Sequence, residues 1–597
     1  MGLQGVWASE VTMVENPVKS VFQSTVSGTI SDELGPLAGA SVVEKGTTNG
    51  TQTDFDGNYT LQVDANAVLI ISYVGYLTQE VPVNGRNTVN VQLEEDTALL
   101  DEVVVVGYGT QKKEAVTGAV STVTAEDIVA LPVASFTEAL QGRVAGVQIT
   151  NSGGPGVDPI VRIRGVGSIS FASNPLYVVD GYPVGGLGDF DNNDIESISV
   201  LKDASAAAIY GSRAANGVVL VTTKRGRPTG ETKFQYRGFT GFAQAASKLD
   251  LLNREQYLQY GRQLLSNNGD AFPSRWAELD TPIYAGTSQT YAETDVDYQD
   301  ALFNTGITSS HNLSVRGGSE KSRIFASFGY FNQDGIIVGT GYDRYNFRVN
   351  SDHDINDWLT LGQSLTLATS ERQNEASLGG RTQIQNTIRG IPYIPLFDPT
   401  LEGGLRAPDG RDGSDPENPL RGGLLDKNFD RNVRIFGTAY ANVKLMEGLQ
   451  YRFTAGIDWN SFRNSQILPI YNDGFRERPD QIIIDNRNTS TGNYFSNQLN
   501  FNKTWGNHNV DAIAVAERQD FKLTSLNGQG QRPNNNVSVL TGTEAQTVQG
   551  AEQENVIYSF LGRVNYDFGG RYLFSASLRR DGSSKFADGF KWRTFPG

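Results

Sequence analysis

A chain of 597 residues is too long for one ordinary core, so several domains are expected. Its formal net charge of −16 opposes nucleic-acid binding, which needs a basic face, and the absence of cysteine excludes disulfides, thiol catalysis and cysteine-held metals. A mean hydropathy of −0.35, with no apolar run of about 18 residues, argues against transmembrane helices but leaves a β-barrel open, because alternating strands look polar on average.

Residues 1–24 read as linker or as the remnant of a secretory signal, with Val6-Trp7-Ala8 resembling a small-residue cleavage site. From 25 to 96, short alternating segments such as Tyr59-Thr60-Leu61-Gln62-Val63 are separated by turn signals at Gly35-Pro36 and Asp56-Gly57, the pattern of a small β-sandwich. Asp54-Phe55-Asp56-Gly57-Asn58 begins like a calcium loop but lacks the later ligands and the distal glutamate, so it is read as a turn.

The linker 97–109 holds Asp101, Glu102, Val103, Val104, Val105, Val106, Gly107 and Tyr108. Four consecutive valines favour an extended backbone, and the glycines around Tyr108 disfavour a helix. Taken alone, such a run reads as a buried strand. Its place ahead of an α/β segment and a long series of amphipathic strands favours instead a segment that adds itself to the sheet edge of a partner.

Residues 110–226 are of mixed α/β pattern. Helices are predicted from Thr137 and over Ala204 to Tyr210, and strands at Val161 to Arg164, Leu176 to Val179 and Gly217 to Val221. Gly153-Gly154-Pro155-Gly156 and Gly165-Val166-Gly167 lack the lysine and the strand-turn-helix setting of a phosphate loop, and are read as tight turns.

From 231 to 597 the strands lengthen and the period of two becomes clean. In Val433 to Lys444 one face carries Val433, Ile435, Gly437, Ala439, Ala441 and Val443, and the other Asn432, Arg434, Thr438, Asn442 and Lys444, with Phe436 and Tyr440 as exceptions on the polar side. Leu449 to Asn460 repeats the scheme. Short links at Gly317 to Glu320, Asp354 to Asp357, Met446 to Gly448, Trp505 to Asn507 and Gly569-Gly570 alternate with long connections at 243–306, 371–430, 461–491 and 521–554. That alternation is expected of an outer-membrane barrel. His311, His353 and His508 stand far apart and read as turn or strand residues, not as metal ligands.

In order along the chain run VSGTISD from Val26, TDFDGNYTL from Thr53, DEVVVVGYGTQKK from Asp101, VTGAVSTV from Val116, LQGRVAGVQI from Leu140, VRIRGVGSI from Val161, PLYVVDGYPV from Pro175 and SISVLKDASAAAIYGSRAANGVVLVTTKRG from Ser197. In these phrases the chain resembles the SusC-like (SusC/RagA) branch of the TonB-dependent outer-membrane transporters. The resemblance implies a carboxypeptidase-regulatory-like extension at 25–96, a TonB box at Asp101 to Tyr108, a plug domain at 110–226, and from 231 the first part of a transmembrane antiparallel barrel.

It also implies import of an oligosaccharide or peptide across outer-membrane lipid. A SusD-like surface lipoprotein would lid the barrel, and TonB with ExbB and ExbD would supply energy. No cofactor is implied, and no nucleophile-base grouping, paired carboxylates or metal motif points to an enzyme. Ligand contacts are expected from the loops Asn151 to Asp158 and Ser168 to Asn174 and from the long barrel loops, without commitment to single residues. Roughly eleven strands are expected after Glu231, against about 22 for barrels of this plugged type, so the sequence reads as the N-terminal portion of a longer transporter. A receptor acting mainly in signalling and a secreted β-domain adhesin are the alternatives.

Overall fold

The computed structural model describes residues 23–597 except 33–34, 48, 74–75, 94–102, 107, 113–119, 130–132, 134, 152, 171–172, 204–206, 229–230 and 377–379. It divides into two compact units, Met1–Val103 and Val104–Gly597. The possible signal remnant and the start of the valine segment, Asp101 and Glu102, lie outside the described residues, as does Gly107.

The first unit is the expected β-sandwich. Asn58–Asp64, Gln23–Ser31 and Val91–Gln92 form one sheet, and Gly50–Gln52, Ser41–Glu44, Val68–Ser72 and Gln79–Pro82 the other. Alternation along Asn58–Asp64 turns Tyr59, Leu61 and Val63 inward against Val26, Ile30, Leu69 and Ile71. The buried Tyr59 hydroxyl donates to the Val89 carbonyl at 2.9 Å, so its polar atom is satisfied. Asp54 accepts from the backbone N–H groups of Asp56 and Asn58 at 3.0 and 2.8 Å, which makes the calcium-like phrase a turn, as read.

The strand Val103–Val106, which begins at the last residue of the first unit, pairs with Gly109–Lys112 in a two-stranded ribbon. An α/β domain comes next, whose five-stranded sheet is built from β1 (Val120–Thr124), β2 (Leu176–Val179), β3 (Tyr182–Val184), β4 (Ile195–Leu201) and β5 (Val218–Thr223) in the order β1-β4-β5-β2-β3. β2 runs parallel to β5, and the other neighbours are antiparallel. The expected helix at Thr137 is Phe136–Ala139, capped by Ser135. Of the helix expected over Ala204 to Tyr210, residues 204–206 lie outside the described residues and Ala207 is helical; a tighter 3-10 segment follows over Ala208–Ala214, broken where Gly211 takes φ 65°. Gly153, Gly156 and Gly165 all have positive φ, as tight turns require.

Twelve antiparallel strands then form one sheet in chain order. They are β6 (Lys233–Ala243), β7 (Gly306–Gly318), β8 (Ser322–Asp334), β9 (Gly341–Asn356), β10 (Leu359–Gln373) and β11 (Lys427–Met446), then β12 (Leu449–Leu468), β13 (Gln481–Trp505), β14 (His508–Arg532), β15 (Glu544–Phe568), β16 (Tyr572–Ser583) and β17 (Trp592–Pro596). Roughly eleven were expected; the short Trp592–Pro596, paired with β16, makes the twelfth. The connections expected at 461–491 and 521–554 are also shorter than read, because β12, β13, β14 and β15 keep pairing well beyond the apolar band, as far as Leu468↔Ile482 and, after a register shift, Gln531↔Glu544. Where both faces are wet, a strand loses its alternation and reads as loop.

The outward face is apolar. Val433, Ile435, Phe453 and Ile457 are exposed, whereas Arg434 and Thr438 between them are buried inward. Aromatic rings band this surface: Tyr236, His311, Tyr330 and Tyr345 stack in succession across β6 to β9, with centroids 6.2, 6.4 and 4.9 Å apart. Near the short turns, His508, Phe568 and Tyr572 make a second group, with spacings of 4.9 and 6.3 Å. An apolar band edged by aromatic residues suits a lipid bilayer and its two interfaces. No helix among the described residues is long and apolar enough to cross a membrane.

At the other end, long connections pack on one another. Leu258, Ile283, Tyr291, Ile391 and Tyr393 form a core there, and the buried Arg275 guanidinium holds Asp409 and Asp412 at 2.5 and 3.1 Å.

Candidate functional site

The α/β domain sits against the inward face of the sheet, and hydrogen bonds and ion pairs hold much of that interface. In β9, Arg348 is wholly buried: Nη2 lies 2.8, 2.6 and 2.7 Å from oxygens of Asp180, Thr223 and Ser364, and Nη1 donates to Thr366 at 2.7 Å. Asp180 and Gly181 form the two-residue turn between β2 and β3, both with positive φ (48° and 87°), the geometry that Asp-Gly favours in a hairpin. The turn thus presents its carboxylate to the sheet. Burial pushes the Asp180 carboxyl up, but Arg348, Arg225 and the Thr223 hydrogen bonds outweigh it and hold the pKa below the ordinary value.

Further contacts repeat the pattern. Arg434 of β11 holds Asp458 through two bonds of 2.8 Å and donates to the Gly186 carbonyl at 3.0 Å. Asp191 accepts from Asn312 at 3.1 Å. The Ser327 hydroxyl donates to Asp194 at 2.5 Å, yet burial and the neighbouring Asp191 push the Asp194 carboxyl up to about 7. Arg579 of β16 donates to the Ile209 carbonyl at 2.7 Å and pairs with Glu517 and Asp581 at 3.1 and 2.7 Å.

Apolar contacts gather in two patches, one of which clusters Ile513, Val515 and Leu561 of the barrel with Ile209, Tyr210 and Leu220 of the α/β domain. Tyr182 meets Phe436 and Tyr494 edge-on at 5.3 and 5.2 Å, and Phe190 meets Phe436 at 5.4 Å. These contacts explain why Phe436 breaks the alternation of its strand. Tyr440, the second exception, donates to Asp352 at 2.5 Å next to Arg225. A polar interface can be rewetted when it parts, whereas an apolar one exposes surface that water penalises.

Of the predicted site, Val103–Val106 is extended and already paired with its neighbouring strand. Tyr108 is tied into the interface: its hydroxyl accepts from Arg579 at 3.0 Å, its carbonyl from Gln498 at 2.8 Å, and its ring stacks on Tyr210 at 5.7 Å and 24°. Burial, with Glu517 adding, raises the Tyr108 pKa well above the ordinary value.

A cavity of about 700 Å³ opens between domain and sheet toward the long connections. It takes Gly156 and Asp158 from the expected loop Asn151 to Asp158, while the described residues of Ser168 to Asn174 do not line it. Asp430, Phe462 and Phe521 come from the sheet side. Sequence reasoning missed the β3 hairpin and the glycines after it, Tyr182 to Gly186, which form much of the floor; the signal was the Asp-Gly turn between apolar runs in PLYVVDGYPV. Toward the short turns lies a second cavity of about 560 Å³, lined by Tyr108, Arg225, Arg452 and Arg563 among others. No group of three or more histidine or acidic side chains among the described residues is placed to hold a metal.

Comparison with known proteins agrees with this layout. Residues 112–218 match the TonB-dependent Receptor Plug Domain, and residues 26–105 the CarboxypepD_reg-like domain. A TonB-dependent receptor of Formosa agariphila is 35% identical over 96% of this chain and 54% of its own length. The TonB-dependent receptor SusC of Bacteroides thetaiotaomicron is 32% identical over 96% of this chain and 58% of its own. A structure of the RagAB peptide importer in the open-open state superposes with a TM-score of 0.72 at 26% identity, covering 83% of this chain and 58% of that one. The chain therefore spans little more than half the length of these relatives.

Proposed function

Since the chain belongs to the SusC-like TonB-dependent receptors, we propose that it acts in the TonB-dependent import of a large nutrient, an oligosaccharide or a peptide, across the outer membrane. The observation that carries this reading is a folded plug held inside a lipid-facing sheet by contacts that water can replace, with Tyr108 bound into them.

In this reading the plug is the resting seal and the cavity of about 700 Å³ is the ligand-facing chamber. Mixed charge, amides and aromatic faces in its walls suit either a sugar or a peptide chain. The short turns, the plug's lower face and the N-terminal sandwich face the periplasm, and the long connections face outward, where a SusD-like lipoprotein docks as a lid. Asp101 to Tyr108 is the TonB box. Once freed, its valine strand pairs with TonB, and several backbone hydrogen bonds in series transmit a pull that ExbB and ExbD draw from the proton gradient. The divisions at 25–96, 97–109, 110–226 and 231–597 serve this scheme as extension, box, plug and first part of the barrel. No covalent chemistry is needed.

The test is uptake by cells expressing the full-length transporter, given an isotope-labelled mixture of oligosaccharides and peptides, before and after an uncoupler collapses the proton gradient. Uptake that stops while surface binding persists supports import. Binding with no gradient-dependent uptake contradicts it and favours a surface adhesin.

A further inference from the structure

The two cavities lie along the same barrel strands, on either side of one plug residue. On β13, Gly492 lines the cavity toward the long connections and Tyr494 lines the one toward the short turns. Two residues of strand separate them, about 7 Å. On β12, Asp458 and Thr454 line the first and second cavities with Gly456 between them, a gap of about 13 Å. The ring of Tyr182 fills that gap.

The ring sits in a socket shaped by missing side chains. A Cβ at Gly456 would lie 2.6 Å from its Cδ2, and a Cβ at Gly492 would lie 2.8 Å from its hydroxyl oxygen. Phe436 and Tyr494 close the sides through edge-on contacts. The Tyr182 hydroxyl is buried and has no hydrogen-bond partner among the described residues, so shape rather than polar bonding holds the ring. Its strand is weakly held as well. β3 is the outer strand of the plug sheet and pairs with β2 over three residues, one of them Pro183, which has no N–H to give. Gly185 and Gly186 come directly after it.

We propose that Tyr182 is the gate between the two cavities, and that withdrawing it from its glycine socket joins them into one passage along β12 and β13. The passage then opens by displacement of an edge strand, while most of the plug sheet keeps its pairing. This inference rests on the import reading for what passes, but not for where the passage lies.

The test is the potassium chloride conductance of the full-length transporter in planar lipid bilayers, which needs neither substrate nor TonB. Tyr182→Phe is expected to stay as closed as wild type, because the hydroxyl has no partner to lose. Tyr182→Ala is expected to conduct. Adding Gly492→Phe to Tyr182→Ala places a ring into the vacated space from the barrel side and is expected to restore closure. A Tyr182→Ala protein that stays closed overturns the proposal. So does a leak that Gly492→Phe fails to suppress, since that points to a plug loosened as a whole. If these currents behave as expected while uptake in cells ignores the proton gradient, the import reading fails and the gate stands.

Discussion

At the scale of single residues, Arg348 is the most exposed to test. Its partner Asp180 stays below the ordinary carboxyl range only because cations and Thr223 face it. Arg348→Met would leave a buried carboxylate short of its nearest cation, a loss of about 3–5 kcal/mol. We expect a lower midpoint in urea titrations of plug unfolding, and expect Asp180→Asn in the same chain to recover part of it. Asp194 gives a pH dependence. Its folded pKa of about 7 lies above the ordinary 3.8, so in that window the folded state holds a proton that the unfolded state has released. Stability therefore falls as pH rises from about 4 to about 7 and levels off above. Thermal melts of Asp194→Asn should lose that slope, and a slope unchanged from wild type would contradict the assignment. Little of this was visible in the sequence. An arginine on the polar face of a strand looks the same whether it meets water or a plug carboxylate, and only the misplaced rings of Phe436 and Tyr440 hinted that the polar face was covered.

At the scale of elements, alternation located the strands well where one face meets lipid and the other the lumen. It failed above the apolar band, where β13 and β14 continue as polar ribbons, and it did not distinguish the 3-10 geometry of Ala208 to Tyr210 from an α-helix. Of the plug hairpin only the strand Leu176 to Val179 was read, and the hairpin's place against the barrel wall depends on contacts between residues hundreds of positions apart, such as Gln519 with Pro183. The outward face makes its own prediction. Ile457→Arg would set a charge on the lipid side near mid-strand and cost about 2–4 kcal/mol of folding into vesicles, whereas Asn460→Arg, facing the cavity, should cost far less. Equal costs in urea titrations of the full-length protein would mean that the face is wrongly assigned.

At the scale of the whole molecule, order along the chain carried more than any one element. A sandwich, a valine segment, an α/β domain and a sheet of long strands succeed one another as the motifs from Val26 to Gly226 suggested, and the relatives extend that match over 96% of the chain. The two cavities and the residue between them could not be read from the sequence, because they arise only when plug and barrel are brought together. In the proposed import cycle, force enters the plug through the valine segment. The most direct measurement is uptake by the full-length transporter carrying Val105→Pro, with binding of the same labelled oligosaccharide and peptide mixture measured alongside. Proline removes a backbone donor from the strand that must pair with TonB. Normal surface binding with no gradient-dependent uptake is expected. Uptake at the wild-type rate would contradict entry of force at this segment.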